Sequence, residues 1–243
     1  MLETITMTDI VLNVLVLLGI LQLAWFSVML LRRGAPPETI QHAIPPLLSI
    51  WVLMWPVYND SRWLWLGVTA LILLSLAAIS LKAPFWQHLK GAWSPKVDDT
   101  DIDIDIYYRP NLPPLTHSIA AIFIATLWFQ TIPEFGFGLA LCFCLAFPAA
   151  NQVDRLSSLK FKFRRLGFPA HPNQTLAGHL ILIAACTLLL CWGLHVYHGT
   201  DWRILFIATL IAAMTASAAR AVIPGHWNIP AAMATTGAVM WLL

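Results

Sequence analysis

Charged residues are scarce in this chain of 243 residues: only 11% of its positions are Asp, Glu, Lys or Arg, whereas soluble domains contain about 25%. Hydrophobic residues make up 59% of the chain, and its mean hydropathy is +0.73. These values exclude an ordinary soluble globular domain. Because the net charge is only +2, we expect no nucleic-acid partner.

Cysteine is also rare, and no basic residue precedes the first apolar run. The four cysteines form no Cys-x-x-Cys pair of the kind that binds zinc, so we interpret them as small core residues. The first apolar run is preceded by Glu3 and Asp9 rather than by basic residues. It is therefore expected to be a retained helix, not a cleaved signal peptide.

Apolar runs occupy most of the remaining sequence. Eight of them cover residues 10–31, 43–57, 63–81, 118–132, 135–150, 175–197, 204–223 and 229–243. A membrane-spanning helix needs about 20 apolar residues, and the second, fifth and eighth runs are short or contain proline. We predict an all-α polytopic membrane protein of about eight transmembrane helices, built as a single integral membrane domain over residues 1–243.

The basic residues predict the orientation. Twelve of the fourteen lysines and arginines fall in loops or helix ends on one side, and only Arg62 and Arg203 fall on the other. The positive-inside rule makes the first side cytoplasmic. Both termini are then non-cytoplasmic, and the loops at about 82–117, 151–174 and 224–228 are cytoplasmic.

The first of these loops contains a row of acidic residues. Asp101, Asp103 and Asp105 alternate with isoleucine, so an extended segment would place all three carboxylates on one face. Such a row is suited to Mg²⁺ or Ca²⁺. The alternative is a solvated acidic segment that pairs with basic residues further along the chain.

The second loop contains one acid and a basic arm. The arm consists of Lys160, Lys162, Arg164 and Arg165. It is typical either of a phosphate contact or of adhesion to anionic head groups. Asp154 is the only carboxylate in this loop, and it is a candidate catalyst and metal ligand, or else a helix cap or ion-pair partner.

The same loop ends at the start of a new helix. Asn173, Gln174, Thr175 and Gly178 surround that start, where exposed backbone N–H groups and the positive end of the helix dipole favour a phosphate. Simple capping by Thr175 is the alternative. His179 and His226 are candidate catalytic residues that would converge with Asp154, or hydrogen-bonded residues between helices.

The order of these features resembles the phytol kinase and dolichol kinase family, and more distantly the membrane CDP-diacylglycerol synthases. The resemblance runs from about Pro37 to Leu243. It depends on the Trp55-Pro56 helix exit, on Asp154, on the segment from Pro172 to Gly178, and on the Pro224-Gly225 turn. Residues that shape the backbone match better than charged ones. Asn173 and Gln174 replace lysines, and Arg220 lies where the family commonly has a carboxylate.

The resemblance implies a lipid-alcohol kinase at the cytoplasmic face, which would use Mg²⁺ and CTP or ATP on an isoprenoid alcohol. Asp154 would then hold the metal, with His179 and His226 as catalytic residues. The nucleotide would lie on the basic arm and the helix start, formed by Lys160, Lys162, Arg164, Arg165, Asn173, Gln174, Thr175 and Gly178. Two hypotheses stay open beside it: a non-catalytic relative that binds a lipid or a protein partner, and a phospholipid cytidylyltransferase.

Overall fold

The computed structural model of the protein describes residues 6–93, 115–156, 174–199, 201–223 and 227–243. These residues are helical and contain no strand, which confirms the all-α prediction. The helices are α1 (Met7–Arg32), α2 (Pro37–Leu53), α3 (Leu64–Ser80), α4 (Pro84–Trp93), α5 (Thr116–Thr131), α6 (Pro133–Leu141), α7 (Phe147–Leu156), α8 (Leu176–His198), α9 (Trp202–Val222) and α10 (Asn228–Leu242).

Each predicted apolar run contains a helix, but the helices differ in length. Six segments of the described chain are long and apolar enough to cross a membrane: Met7–Arg32, Pro37–Val57, Ser61–Ser80, Pro133–Leu156, Leu176–His198 and Trp202–Val222. Helices α5 and α10 have 16 and 15 residues, fewer than the roughly 20 that a bilayer requires. The structure is therefore consistent with an integral, multi-pass protein, and the number of eight spans stays a prediction.

The orientation also stays a prediction, and reporter fusions test it. Fusions at Lys96, Arg164 and Pro224 should all report a cytoplasmic position, because twelve of the fourteen basic residues fall in loops or helix ends on that side. A fusion at Arg62 is the matched control and should report the opposite side. A non-cytoplasmic signal at Arg164 would contradict the orientation.

By its internal contacts the chain divides into two compact units. The first consists of Met1–Ile44 and Val57–Ile119, and the second of Pro45–Pro56 and Ala120–Leu243. The division falls within α2 at the Pro45-Pro46 pair. Prolines inside a helix remove backbone hydrogen bonds, which explains why the boundary can lie there.

In the first unit, hydrogen bonds connect both ends of α1 to other segments of the chain. The buried Asp9 accepts hydrogen bonds from Thr6 Oγ1 at 2.7 Å and from the backbone N–H of Asn59 at 2.9 Å. Near the other end, Trp93 Nε1 of α4 donates to Ser27 Oγ at 3.1 Å. Helix α4 was not predicted, because its ten residues are amphipathic rather than uniformly apolar.

In the second unit, one long helical segment changes its winding halfway. Residues Cys142–Ala146 form a π-helical turn between α6 and α7, and the N–H of Phe147 donates to the carbonyl of Cys142, five residues earlier. Pro148 follows directly and has no N–H to give to the carbonyl four residues before it. The wider turn accommodates this loss, and such turns often occur at functional sites.

Small residues allow the helices of the second unit to approach closely. A Cβ atom added at Gly193 of α8 would lie 3.1 Å from the Cα atom of Gly138 in α6, so this helix contact depends on glycine. Helix α8 ends at Gly199, whose φ of 61° favours glycine. All four cysteines are buried, as predicted, and none of them forms a disulfide. They are Cys142, Cys144, Cys186 and Cys191.

Candidate functional site

A polar cluster lies in the second unit where α7 ends, α8 begins and α9 ends. It consists of Asn151, Asp154, Gln174, Thr175 and Arg220. Asn151 is half-buried, and the other four are buried. Asn151 and Asp154 are three residues apart on α7, so they share one face of that helix. The cluster therefore joins three helices through side chains that are unusual in such apolar surroundings.

Asp154 is the centre of the cluster. Its Oδ1 accepts hydrogen bonds from the backbone N–H of Thr175 at 2.8 Å and from Thr175 Oγ1 at 2.7 Å. Its Oδ2 accepts from Nη2 of Arg220 at 2.6 Å. A carboxylate has about four lone-pair positions, and protein donors already fill three of them here.

Thr175 and Gly178 shape the start of α8 around this carboxylate. Thr175 is the N-cap, with φ −122° and ψ 156°, and its Oγ1 accepts from the N–H of Gly178 at 3.0 Å. A Cβ atom at position 178 would collide with the Asp154 carboxylate. The carboxylate therefore occupies the position at the helix start where an anion is favoured.

Arg220 supplies the positive charge of the cluster. Its Nη2 donates to Asp154 Oδ2 and to Asn151 Oδ1, both at 2.6 Å. Its backbone carbonyl accepts from Gln174 Nε2 at 3.1 Å. Only 4% of the Arg220 side chain and 6% of the Asp154 side chain are exposed. A buried charge of this kind requires a close partner of opposite sign, and these two residues provide it for each other.

His179 lies on α8 directly after Gly178, and it is buried. Its Nδ1 is 2.7 Å from Ser217 Oγ of α9, so the two residues join α8 and α9. This contact agrees with the interpretation of His179 as a hydrogen-bonded residue between helices. Its catalytic role stays a prediction, and so does that of His226, which lies outside the described residues.

Several other predicted site residues also lie outside the described residues. These are the acidic row Asp101, Asp103 and Asp105, the basic arm Lys160, Lys162, Arg164 and Arg165, and Asn173. Of the predicted nucleotide-contacting residues, Gln174, Thr175 and Gly178 are described. The structure brings those three together with Asp154.

The described residues of this cluster do not fit a magnesium site. Mg²⁺ is bound through one or two carboxylates together with phosphate oxygens, and the one carboxylate here already accepts three protein hydrogen bonds. A guanidinium group in direct contact with that carboxylate also repels a second cation. Within the described ranges no group of three His, Cys, Asp or Glu side chains is arranged to hold a metal.

The sequence contained a signal for Arg220 that the prediction did not use. Arg220 lies in α9 within an apolar run, and ionisable residues inside such runs are rare and are normally paired. Asp154 lies in the last turn of α7, at the end of the apolar segment Pro133–Leu156. Because a buried charge needs a partner of opposite sign, this rule predicts a pair between Arg220 and Asp154. Asn151 and Ser217 carry no comparable signal.

The described residues form an all-α protein in which six helical segments are long and apolar enough to span a membrane. The chain matches no protein-family model, no curated protein and no solved structure. The resemblance to the phytol and dolichol kinases therefore stays a prediction.

Proposed function

We propose that the protein is an integral membrane protein that binds a lipid alcohol without phosphorylating it, as a non-catalytic relative of the lipid-alcohol kinases it resembles. The observation that carries this proposal is the bonding of Asp154. The only carboxylate of the predicted motif loop accepts from Thr175 and Arg220. A kinase of this kind would need that carboxylate for its metal ion.

A second feature supports a lipid rather than a protein partner. In the first unit, a half-open groove of about 380 Å³ lies between α1, α3 and α4. It is lined by leucine, isoleucine and alanine side chains and by Trp86. Such an apolar lining can pack against the tail of a lipid, since packing between apolar groups is what holds surfaces together inside a bilayer.

The lipid-alcohol kinase itself is the second candidate function. It is supported by Thr175 and Gly178 at the start of α8, where backbone N–H groups and the helix dipole would favour a phosphate group if Asp154 left this position. In that case Asp154 would have to give up its contact with Arg220, and CTP or ATP would be the phosphate donor. The phospholipid cytidylyltransferase would use the same end of the bundle.

An assay with purified protein in lipid nanodiscs distinguishes these functions. The protein is incubated with Mg²⁺, with CTP or ATP carrying a labelled γ-phosphate, and with a panel of prenols. A parallel reaction contains phosphatidic acid together with CTP that is labelled in its cytidine. We expect no labelled lipid in either reaction, but we expect crosslinking by a photoactivatable prenol that unlabelled prenol suppresses. Formation of labelled prenyl phosphate would establish the kinase instead, and labelled CDP-lipid would establish the cytidylyltransferase.

A further inference from the structure

Two oxygen atoms converge on one nitrogen atom in the polar cluster. Asp154 Oδ2 and Asn151 Oδ1 each lie 2.6 Å from Nη2 of Arg220. One oxygen belongs to a carboxylate and the other to a side-chain amide, and both residues project from the same face of α7. Carboxylate and amide oxygens are the ligands that divalent cations such as Mg²⁺ and Ca²⁺ prefer.

We propose that Arg220 is the fixed cation of this site, and that its guanidinium group occupies the place of a divalent metal ion between Asp154 and Asn151. The site is then independent of metal. The role of Arg220 is tested by ion binding alone, so it can fail independently of the proposed lipid binding, whereas the consequence for a head group drawn below rests on that proposed function.

The chemistry of the guanidinium group supports this role. Arginine stays protonated at every pH that proteins tolerate, and it is hydrated more weakly than an ammonium group. It therefore supplies a permanent positive charge in a buried position. A free Mg²⁺ ion loses its water reluctantly and would enter the same place at a higher cost.

The second terminal nitrogen of Arg220 has a further consequence. Nη1 is buried and has no hydrogen-bond partner within the described residues. A metal ion in this position would have free coordination positions that could bind an oxygen atom of a ligand. The N–H groups of Nη1 could bind such an oxygen atom in the same way, by donating hydrogen bonds to it. An oxygen atom of a bound head group is the chemical partner that such donors require.

The charge balance limits what that head group can be. Asp154 and Arg220 compensate each other, and Asn151, Gln174 and Thr175 are neutral. A dianionic group would add two uncompensated charges to a buried site, which is costly. A neutral or singly charged oxygen therefore fits this site better than a free triphosphate.

The test compares the response of two proteins to Mn²⁺, which binds carboxylate and carbonyl ligands as Mg²⁺ does. Thermal unfolding of wild-type protein and of Arg220→Glu is followed in nanodiscs, with EDTA or with rising Mn²⁺. The wild-type midpoint should not change. In Arg220→Glu a third oxygen ligand replaces the cation, so the midpoint should rise with each tenfold increase in Mn²⁺ above its Kd.

Control variants keep the result decisive. Arg220→Lys retains a positive charge and should not respond to Mn²⁺. If Arg220→Glu does not fold with or without the ion, the same measurement is made on Arg220→Asn. That variant offers one carboxylate and two side-chain amide oxygens as ligands for Mn²⁺. The proposal is wrong if Mn²⁺ stabilises neither Arg220→Glu nor Arg220→Asn. It is equally wrong if Mn²⁺ stabilises the wild-type protein and the effect disappears in Asp154→Asn.

Discussion

Replacing Arg220 with methionine is expected to lower the free energy of unfolding by about 3–5 kcal/mol, the usual cost of breaking a buried ion pair by removing one partner. The reason is the carboxylate that remains. Asp154 is 6% exposed and would retain its bonds from Thr175 but lose its ion pair with Arg220. Unfolding by SDS in mixed micelles, followed by tryptophan fluorescence, measures the change.

A double variant separates the loss of the pair from the loss of packing. Asp154→Leu together with Arg220→Met removes both charges, and apolar replacements of a buried ion pair are often neutral or stabilising. We therefore expect the double variant to be clearly more stable than Arg220→Met alone. A double variant as unstable as the sum of the two single changes would show that the ion pair is not the cause.

A matched control lies on the same helix. Arg203 is an exposed residue in the first turn of α9, so Arg203→Met makes the same chemical change away from any buried acid. Surface substitutions of this kind have small effects, and we expect little change in stability. A loss comparable to that of Arg220→Met would indicate a general effect of removing arginine from α9.

The helices could be predicted because hydropathy reports them directly. A continuous apolar run has few alternatives to a helix in a membrane, since every backbone polar group must be bonded within the segment. The start of α2 could not be predicted from hydropathy. It begins at Pro37, six residues before its apolar run, with Glu38 in the first turn. Proline and an acid are both favoured there, but hydropathy does not register them.

The candidate site could be predicted only in part. The neighbourhood of Asp154 and Thr175 followed from the order of motifs, although 21 residues separate them in the chain. The contact of Asp154 with Arg220 spans 66 residues. It depends on which face of α7 lies toward α9, and α7 directly follows the π-helical turn Cys142–Ala146. A hydropathy pattern contains no information about such a turn.

A single methyl group at position 178 is expected to disrupt the cluster. In Gly178→Ala the new Cβ atom would collide with the Asp154 carboxylate, so either the side chain or the start of α8 must move. Overpacking of this kind costs about 1–3 kcal/mol. Displacement of the carboxylate also weakens charge-assisted hydrogen bonds, each of which contributes about 1.5–3 kcal/mol. SDS unfolding of the variant measures the sum.

The matched control is Gly19→Ala, because a Cβ atom added at Gly19 of α1 meets no atom within 4 Å. Alanine is favoured over glycine in a helix by about 0.5–1 kcal/mol, so this variant should be as stable as the wild-type protein or slightly more so. Equal stability of Gly178→Ala and wild type would mean that the carboxylate does not lie against α8.

A change of background identifies the cause of the Gly178→Ala effect. When Asp154→Ala and Arg220→Met are introduced together, the side chain that collides with position 178 is absent. Adding Gly178→Ala to that background should then cost little, whereas it is costly in the wild type. This difference measures the coupling between positions 154 and 178. An equal cost in both backgrounds would place the effect in the backbone of α8, and the carboxylate at the helix start would not be its cause.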